Sequence, residues 1–322
     1  MWETLNLPFT VIRDLKVVKE DLFFFAASPT QPLSLVKMHL HTKQCEILKP
    51  SFSNPLSHDD VSVPTIVEFP SEKGKGYGFF YPPKSSSFTP LENEKPPLIV
   101  KVHGGPTACS QTGLNLETQF WTSRGFAVVE VNYSGSSGFG RQFREKLNGN
   151  WGILDVADSI SCAKELAKKG LIDEKRMIIK GGSAGGYTAL CAVAFHQVFA
   201  AAVSYYGVAD PEALAKDTHK FESRYLDSLI GPYPQEKILY LQRSPLHHAK
   251  NIQAPLLLLQ GKEDPIVPLN QAEAMHQALL KNNIPASLIV FENESHGFKH
   301  ASTIRKCAEA ELSFYSKLFS TR

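Results

Sequence analysis

The chain has 322 residues, 43% of them apolar, 20% charged and 10% aromatic, which excludes a mostly disordered protein and suffices for one large domain or two moderate ones. Its formal net charge of +2, without any dense run of Lys and Arg, excludes the electrostatic footprint of a nucleic-acid or anionic-membrane binder. Apolar runs such as 22–27 and 256–259 fall far short of the ~20 residues that a membrane span needs.

Up to about Pro50 short strands are predicted at 22–27, 33–41 and 44–48, the last two joined by a turn at Thr42 and Lys43. This antiparallel fragment leads into a polar, proline-bearing linker over 51–60. Residues 65–69 and 77–81 read as another antiparallel pair, and 82–97 as a loop. From Leu98 onward, apolar runs of four to six residues alternate with amphipathic stretches, the signature of a parallel sheet with crossover helices. Strands are predicted at 98–102, 127–131, 177–180, 201–205, 255–260 and 287–291, and helices at 154–168, 184–195, 270–281 and 302–319. The predicted class is therefore α/β, with 1–60 a small β-strand remnant plus linker and 61–322 the main domain.

Five widely spaced cysteines, Cys45, Cys109, Cys162, Cys191 and Cys307, form no C-x-x-C pair and are odd in number, which argues against a disulfide framework or structural zinc and for a reducing compartment. Residues 1–9 include Glu3 and Pro8 and lack the regions of a signal peptide. The two sequons, at Asn132 and Asn293, fall in segments assigned to the rim of the site, where a glycan would obstruct it. A cytoplasmic protein is expected.

The sharpest local signal is Gly181-Gly182-Ser183-Ala184-Gly185, a G-x-S-x-G directly after a predicted strand and directly before a predicted helix. That context suits a nucleophile elbow, in which small residues allow a tight turn and expose the serine at its tip. The helix N-terminus also aims N–H groups at any oxyanion formed on Ser183. A serine needs a base oriented by a carboxylate, and in the α/β-hydrolase order the acid comes next and the histidine last. Asp264 follows the strand at 255–260, and His296 follows the strand at 287–291, both at C-terminal strand ends where an open α/β sheet assembles its site. Glu263 shares the turn with Asp264, which is favoured by its shorter side chain. His296 and His300 are spaced as metal ligands can be, yet without H-E-x-x-H or a third ligand, so neither a metal nor another cofactor is expected. His103-Gly104-Gly105-Pro106 follows the strand at 98–102, where esterases carry a loop supplying an oxyanion donor.

These motifs, together with Asn132-Tyr133-Ser134-Gly135-Ser136-Ser137-Gly138-Phe139-Gly140 and Asn150-Trp151-Gly152, resemble the prolyl oligopeptidase family of serine peptidases, in its acylaminoacyl- and dipeptidyl-peptidase-like branch, over about residues 61–322. The resemblance implies an α/β-hydrolase fold, Ser183 as nucleophile, His296 as general base then acid, Asp264 as its orienter, and the N–H groups of Gly105 and Ala184 as oxyanion donors. It also implies that Phe221, Tyr225 and Val267 line an apolar S1 pocket. Phe221 and Tyr225 are four apart and share a helix face, so core packing is the alternative for that pair. Family members carry a β-propeller that filters substrates by size, of which only the strands before Pro50 resemble a last blade. Other departures are Ser134, where relatives often have Arg, and Ile266, which cannot offer a P2 carbonyl the polar contact that several relatives provide. The expected activity is hydrolysis of short peptides. The alternatives are a carboxylesterase or a catalytically silent form acting by interaction. Unpaired strand edges, such as that of 33–41, lead to the expectation of a homo-oligomer.

Overall fold

Strict alternation over Gln31–His39 builds the first sheet. In the computed structural model, which describes residues 4–89, 94–217 and 222–320, Pro32, Ser34, Val36 and Met38 of this strand point inward between half-buried neighbours. The sheet runs in the order β1 (Val11–Val18), β2 (Asp21–Ser28), β3 (Gln31–His39), β4 (Cys45–Pro50), antiparallel throughout. Phe24 pairs with Val36 and Leu22 with Met38. Phe24, Ala26, Val36 and Met38 form the core, covered by Leu7, Phe9, Leu22 and Leu40, with the Phe9 ring edge-on to Phe24 at 6.0 Å.

This arrangement corrects one expectation. The segment 33–41 is not an unpaired edge but the core of interior strand β3; the edges are β1 and β4, exposed along almost their whole lengths. Strand β1 has no counterpart among the predicted elements, because Arg13, Asp14 and Lys16 interrupt its apolar pattern and a register shift lies between Arg13 and Lys16.

The remaining strands, β5 (Thr65–Ser71), β6 (Gly74–Tyr81), β7 (Leu98–Val102), β8 (Ala127–Asn132), β9 (Met177–Gly182), β10 (Ala201–Tyr205), β11 (Leu256–Gly261) and β12 (Ala286–Phe291), form one sheet in the order β12-β11-β10-β9-β7-β8-β6-β5. The run β12-β11-β10-β9-β7 is parallel. β5 and β6 are joined by Glu72 and Lys73 alone, too short a link for a parallel crossover. The α/β class expected from the strand rhythm, and the α/β-hydrolase fold that the resemblance implies, are what is observed.

The helices are α1 (Leu116–Thr122), α2 (Arg141–Glu145), α3 (Leu154–Lys168), α4 (Ala184–Phe195), α5 (Pro211–Asp217), α6 (Tyr225–Leu229), α7 (Lys237–Gln242), α8 (Leu269–Lys281) and α9 (Ala301–Ser320). In α9 the buried residues Thr303, Cys307, Glu311 and Tyr315 recur every fourth position, one stripe facing inward. Helix α4 is buried from Ala184 to Ala194 on all sides. Helix α1 starts at Asn115, whose side chain accepts the N–H groups of Glu117 and Thr118.

Two compact units can be separated: Met1–Ile66 with Phe79–Glu94 and Ser110–Val128, and Val67–Gly78 with Lys95–Cys109 and Val129–Arg322. The four-stranded sheet belongs to the first, and every residue of the site described below to the second. Among the described residues no helix is long and apolar enough to cross a membrane.

Edge strand β1 exposes Leu15 at 62% and Val17 at 60%, beside backbone groups that can pair with another chain. The expected outcome is a mass by light scattering that rises with concentration for this chain, and stays monomeric for the double variant Leu15→Lys, Val17→Lys. A monomeric parent at all concentrations would contradict this.

Candidate active site

β9 ends at Gly182 and α4 begins at Ala184, so Ser183 makes the turn between them. Its backbone, at φ 55° and ψ −122°, lies where residues other than glycine are strained. The Ser183 N–H donates to Tyr205 O at 2.9 Å, and the Tyr187 N–H closes the first helical turn onto Ser183 O at 3.0 Å. A Cβ on Gly185 would lie 2.2 Å from Val102 O and 2.8 Å from His103 O, so the last glycine of G-x-S-x-G is imposed by contact with the end of β7.

Two further strand ends reach this turn. His296 Nε2 stands 2.9 Å from Ser183 Oγ, and its Nδ1 stands 2.8 Å from Asp264 Oδ2. A carboxylate only accepts, so Nδ1 carries the proton and, in the neutral ring, Nε2 faces Ser183 as an acceptor. The other oxygen, Asp264 Oδ1, accepts the N–H groups of Ile266 and Val267, each at 2.9 Å. Asp264 is 5% exposed, whereas its neighbour Glu263 is exposed and donates its N–H to Glu294 O. The Tyr206 ring packs edge-on against His296 at 4.8 Å and against Phe298 at 5.2 Å.

Glu294, two residues before His296, fixes the loop that carries it. This buried carboxylate accepts the N–H groups of Lys299 and His300, both at 2.9 Å, and His300 Nδ1 at 3.0 Å. Burial pushes the group up, but those N–H groups, the Thr303 hydroxyl and the His300 ring outweigh it and hold the carboxyl at about 2.

The loop after β7 lies against the serine turn: a Cβ on Gly104 would meet Gly182 O at 3.1 Å and Ser183 Cβ at 3.5 Å. Gly105 follows at φ 119°, a conformation that excludes side-chain-bearing residues. The segment 132–140 buttresses this loop. Tyr133 Oη donates to Pro106 O at 2.7 Å, Ser137 N–H donates to Ala108 O at 2.8 Å, and Ser136 Oγ lies 2.7 Å from His103 Nε2. Burial pulls the His103 imidazole down to about 4, against an upward pull from the Gly104 carbonyl. His103 Nδ1 lies 2.8 Å from Gly104 O, and Ser136 Oγ, which sits 2.7 Å from Nε2, donates its own proton to Tyr133 O at 2.8 Å. Asn150-Trp151-Gly152 acts behind α4: the Trp151 ring packs on Tyr187 at 4.3 Å, and Asp155 joins the Gly152 N–H to the Thr188 hydroxyl.

Ser183, Asp264 and His296 thus meet, with Gly105 in the loop beside them and the Ala184 N–H in the first turn of α4, where no intrahelical acceptor exists. Of the residues expected in a substrate pocket, Tyr225 opens α6 and its hydroxyl bonds Thr107 Oγ1 at 2.8 Å, two residues past Gly105. Val267 is 1% exposed and tied through its N–H to Asp264. Phe221 lies outside the described residues. Ser134, fully buried, donates its N–H to Asp158 Oδ2 at 2.6 Å. Asn132, assigned from sequence to the rim, is instead 0% exposed at the end of β8, where a glycan has no room. Glu294, Tyr206 and Gln260, which reaches Asp264 Oδ2 at 3.3 Å, were not singled out by the sequence; only the placement of Gln260 at the end of a leucine run offered a signal.

Residues 112–322 match the Peptidase S9 description, the prolyl oligopeptidase family. Dipeptidyl aminopeptidase BIII of Pseudoxanthomonas mexicana is 33% identical over 208 residues, 63% of this chain and 30% of that protein. A puromycin-hydrolyzing peptidase of Mycobacterium tuberculosis superposes with a TM-score of 0.95 at 40% identity, over 98% of this chain and 48% of the other. An acylaminoacyl peptidase of Pyrococcus horikoshii superposes with a TM-score of 0.85 at 25% identity, over 97% of this chain and 50% of the other. The chain spans half or less of the length of these relatives.

The Glu294 carboxyl, at about 2 when folded against an ordinary 4.5, gives a signed expectation. Between those values the unfolded chain binds the extra proton, so this contribution to stability is complete above the ordinary value and fades as pH falls toward the folded one. Urea unfolding of the parent and Glu294→Gln should differ most at about pH 6 and least at about pH 3. An unchanged difference would contradict the assignment.

Proposed function

The chain belongs to the prolyl oligopeptidase family, and on that premise we propose that it is a serine peptidase that cleaves short peptides through an acyl-enzyme on Ser183, with residues 61–322 as the catalytic domain. The observation that carries this reading is the unbroken line from Asp264 Oδ2 through His296 to Ser183 Oγ, at 2.8 and 2.9 Å. His296 Nε2 takes the hydroxyl proton as Oγ attacks the scissile carbonyl, and Asp264 stabilises the imidazolium formed. Charge developing on the carbonyl oxygen is met by the N–H groups of Ala184 and Gly105. His296 then gives its proton to the leaving amine, and the same steps with water release the acid.

Relatives described as dipeptidyl aminopeptidase, acylaminoacyl peptidase and puromycin-hydrolyzing peptidase support release of small units from an N-terminal end. An apolar P1 side chain would sit beside Tyr225 and Val267. The wide spacing and odd number of the cysteines support a reducing setting such as the cytoplasm.

Aminoacyl-anilides and p-nitrophenyl esters assayed side by side test the reading; turnover of esters alone would make the chain an esterase. Ser183→Ala should lower kcat on either substrate by up to about a million-fold while leaving the fold intact. Asp264→Asn should cost on the order of ten-thousand-fold by favouring the wrong imidazole tautomer, and Glu263→Gln little. Reversed effects would make Glu263 the acid.

Tyr225→Ala should lower kcat/KM for large apolar P1 residues by ~1–3 kcal/mol relative to small ones. An equal loss for all P1 types, together with a lower Tm, would assign Tyr225 to packing against Thr107 instead.

A further inference from the structure

β11 reads Leu-Leu-Leu-Leu-Gln-Gly and is buried at every position, so Gln260 places an amide, 0% exposed, at the end of an otherwise apolar strand. Such a group is tolerated in a core only where its partners are built in. Its Nε2 faces three oxygens: Val267 O at 3.0 Å, Gly261 O at 3.2 Å and Asp264 Oδ2 at 3.3 Å. All three are pure acceptors, which settles the amide orientation, since the flipped side chain would aim its oxygen at them. The orientation is kept although Gln260 Oε1 accepts no hydrogen bond from the described residues.

The two partners Asp264 and Val267 bound the turn that carries the acid. Val267 donates its N–H to Asp264 Oδ1 while its carbonyl accepts from Gln260, and Gln260 also reaches Oδ2, the oxygen bonded to His296 Nδ1. The carboxylate is therefore held from both sides. Backbone N–H groups of Ile266 and Val267 occupy Oδ1, leaving Oδ2 for His296 and Gln260.

We propose that Gln260 is a positioning residue for the reaction: its amide fixes the rotation of the Asp264 carboxylate, so that Oδ2 meets His296 in line with Ser183. The role rests on the triad reading given above and acts through Asp264 alone.

Two isosteric variants test it, with Asp264→Asn as reference. Gln260→Met removes both N–H donors and should lower kcat for an aminoacyl-anilide, by less than the Asp264→Asn reference, with KM nearly unchanged. Gln260→Glu donates to Oδ2 only while protonated, because two carboxylates in contact share one proton and repel once both ionise. Its kcat relative to the parent should fall with rising pH in a step absent from the Gln260→Met profile. A purely structural role would lower Tm without creating that step. Gln260→Met with the parent's kcat, or a Gln260→Glu ratio flat across pH, would overturn the proposal. The second readout remains decisive if the methionine variant does not fold. A crippled Asp264→Asn beside unaffected Gln260 variants would sink the role of Gln260 alone, whereas an active Asp264→Asn would overturn the triad reading as well.

Discussion

A strand-to-helix turn with no room for side chains on its flanks governs the geometry around it. A Cβ on Gly181 would lie 2.4 Å from the Gly185 carbonyl carbon and 2.8 Å from Val102 O, and one on Gly185 only 2.2 Å from the same oxygen. The first turn of α4 is thereby pressed against the end of β7, and Ser183 is left at the tip with its N–H anchored to β10 through Tyr205 O. Because β7, β9, β11 and β12 run parallel in one sheet, the loops that follow them leave from a common edge. Those loops carry Gly105, Ser183, Asp264 and His296.

Environment rather than residue type sets the charge of the groups around this edge. Asp155 lies in the interior, where burial raises its carboxyl to about 6 despite bonds from Thr188 and the Gly152 N–H. Glu294 is also buried, but its N–H donors win and it lies at about 2. Beneath the serine turn, Lys180 of β9 gives Glu311 of α9 two contacts at 2.7 and 2.8 Å, and the hydroxyls of Tyr205 and Tyr315 complete the carboxylate. A buried pair satisfied this fully does not leave a lone charge in the core, and it fastens the last helix to the strand that presents Ser183.

Strands buried on both faces need continuous apolar runs, which is why β7, β9 and β11 were readable to within about two residues, and why the G-x-S-x-G between β9 and α4 could be given a structural context. Strand β1 was not readable, since its residues are exposed and charged, with a shifted register. Helices α2, α5, α6 and α7 have only five to seven residues, too few for a helical period to emerge. The interior place of β3 depends on which strands flank it, and no pattern within 33–41 encodes its neighbours. Spacing and order drew attention to Ser183, Asp264 and His296. Gln260 and Glu294 escaped because their partners, mostly backbone groups with the Asp264 carboxylate for one and the His300 ring and Thr303 hydroxyl for the other, are brought close only by the turns, so no motif marks them.

The proposed nucleophile is Ser183, activated through His296. Reacting the chain with a fluorophosphonate and mapping the adduct by peptide mass spectrometry tests it most directly. One phosphonate per chain is expected, on the peptide containing Ser183, formed in step with the loss of anilide hydrolysis. Labelling of a different serine, or full loss of activity with Ser183 unmodified, would contradict it.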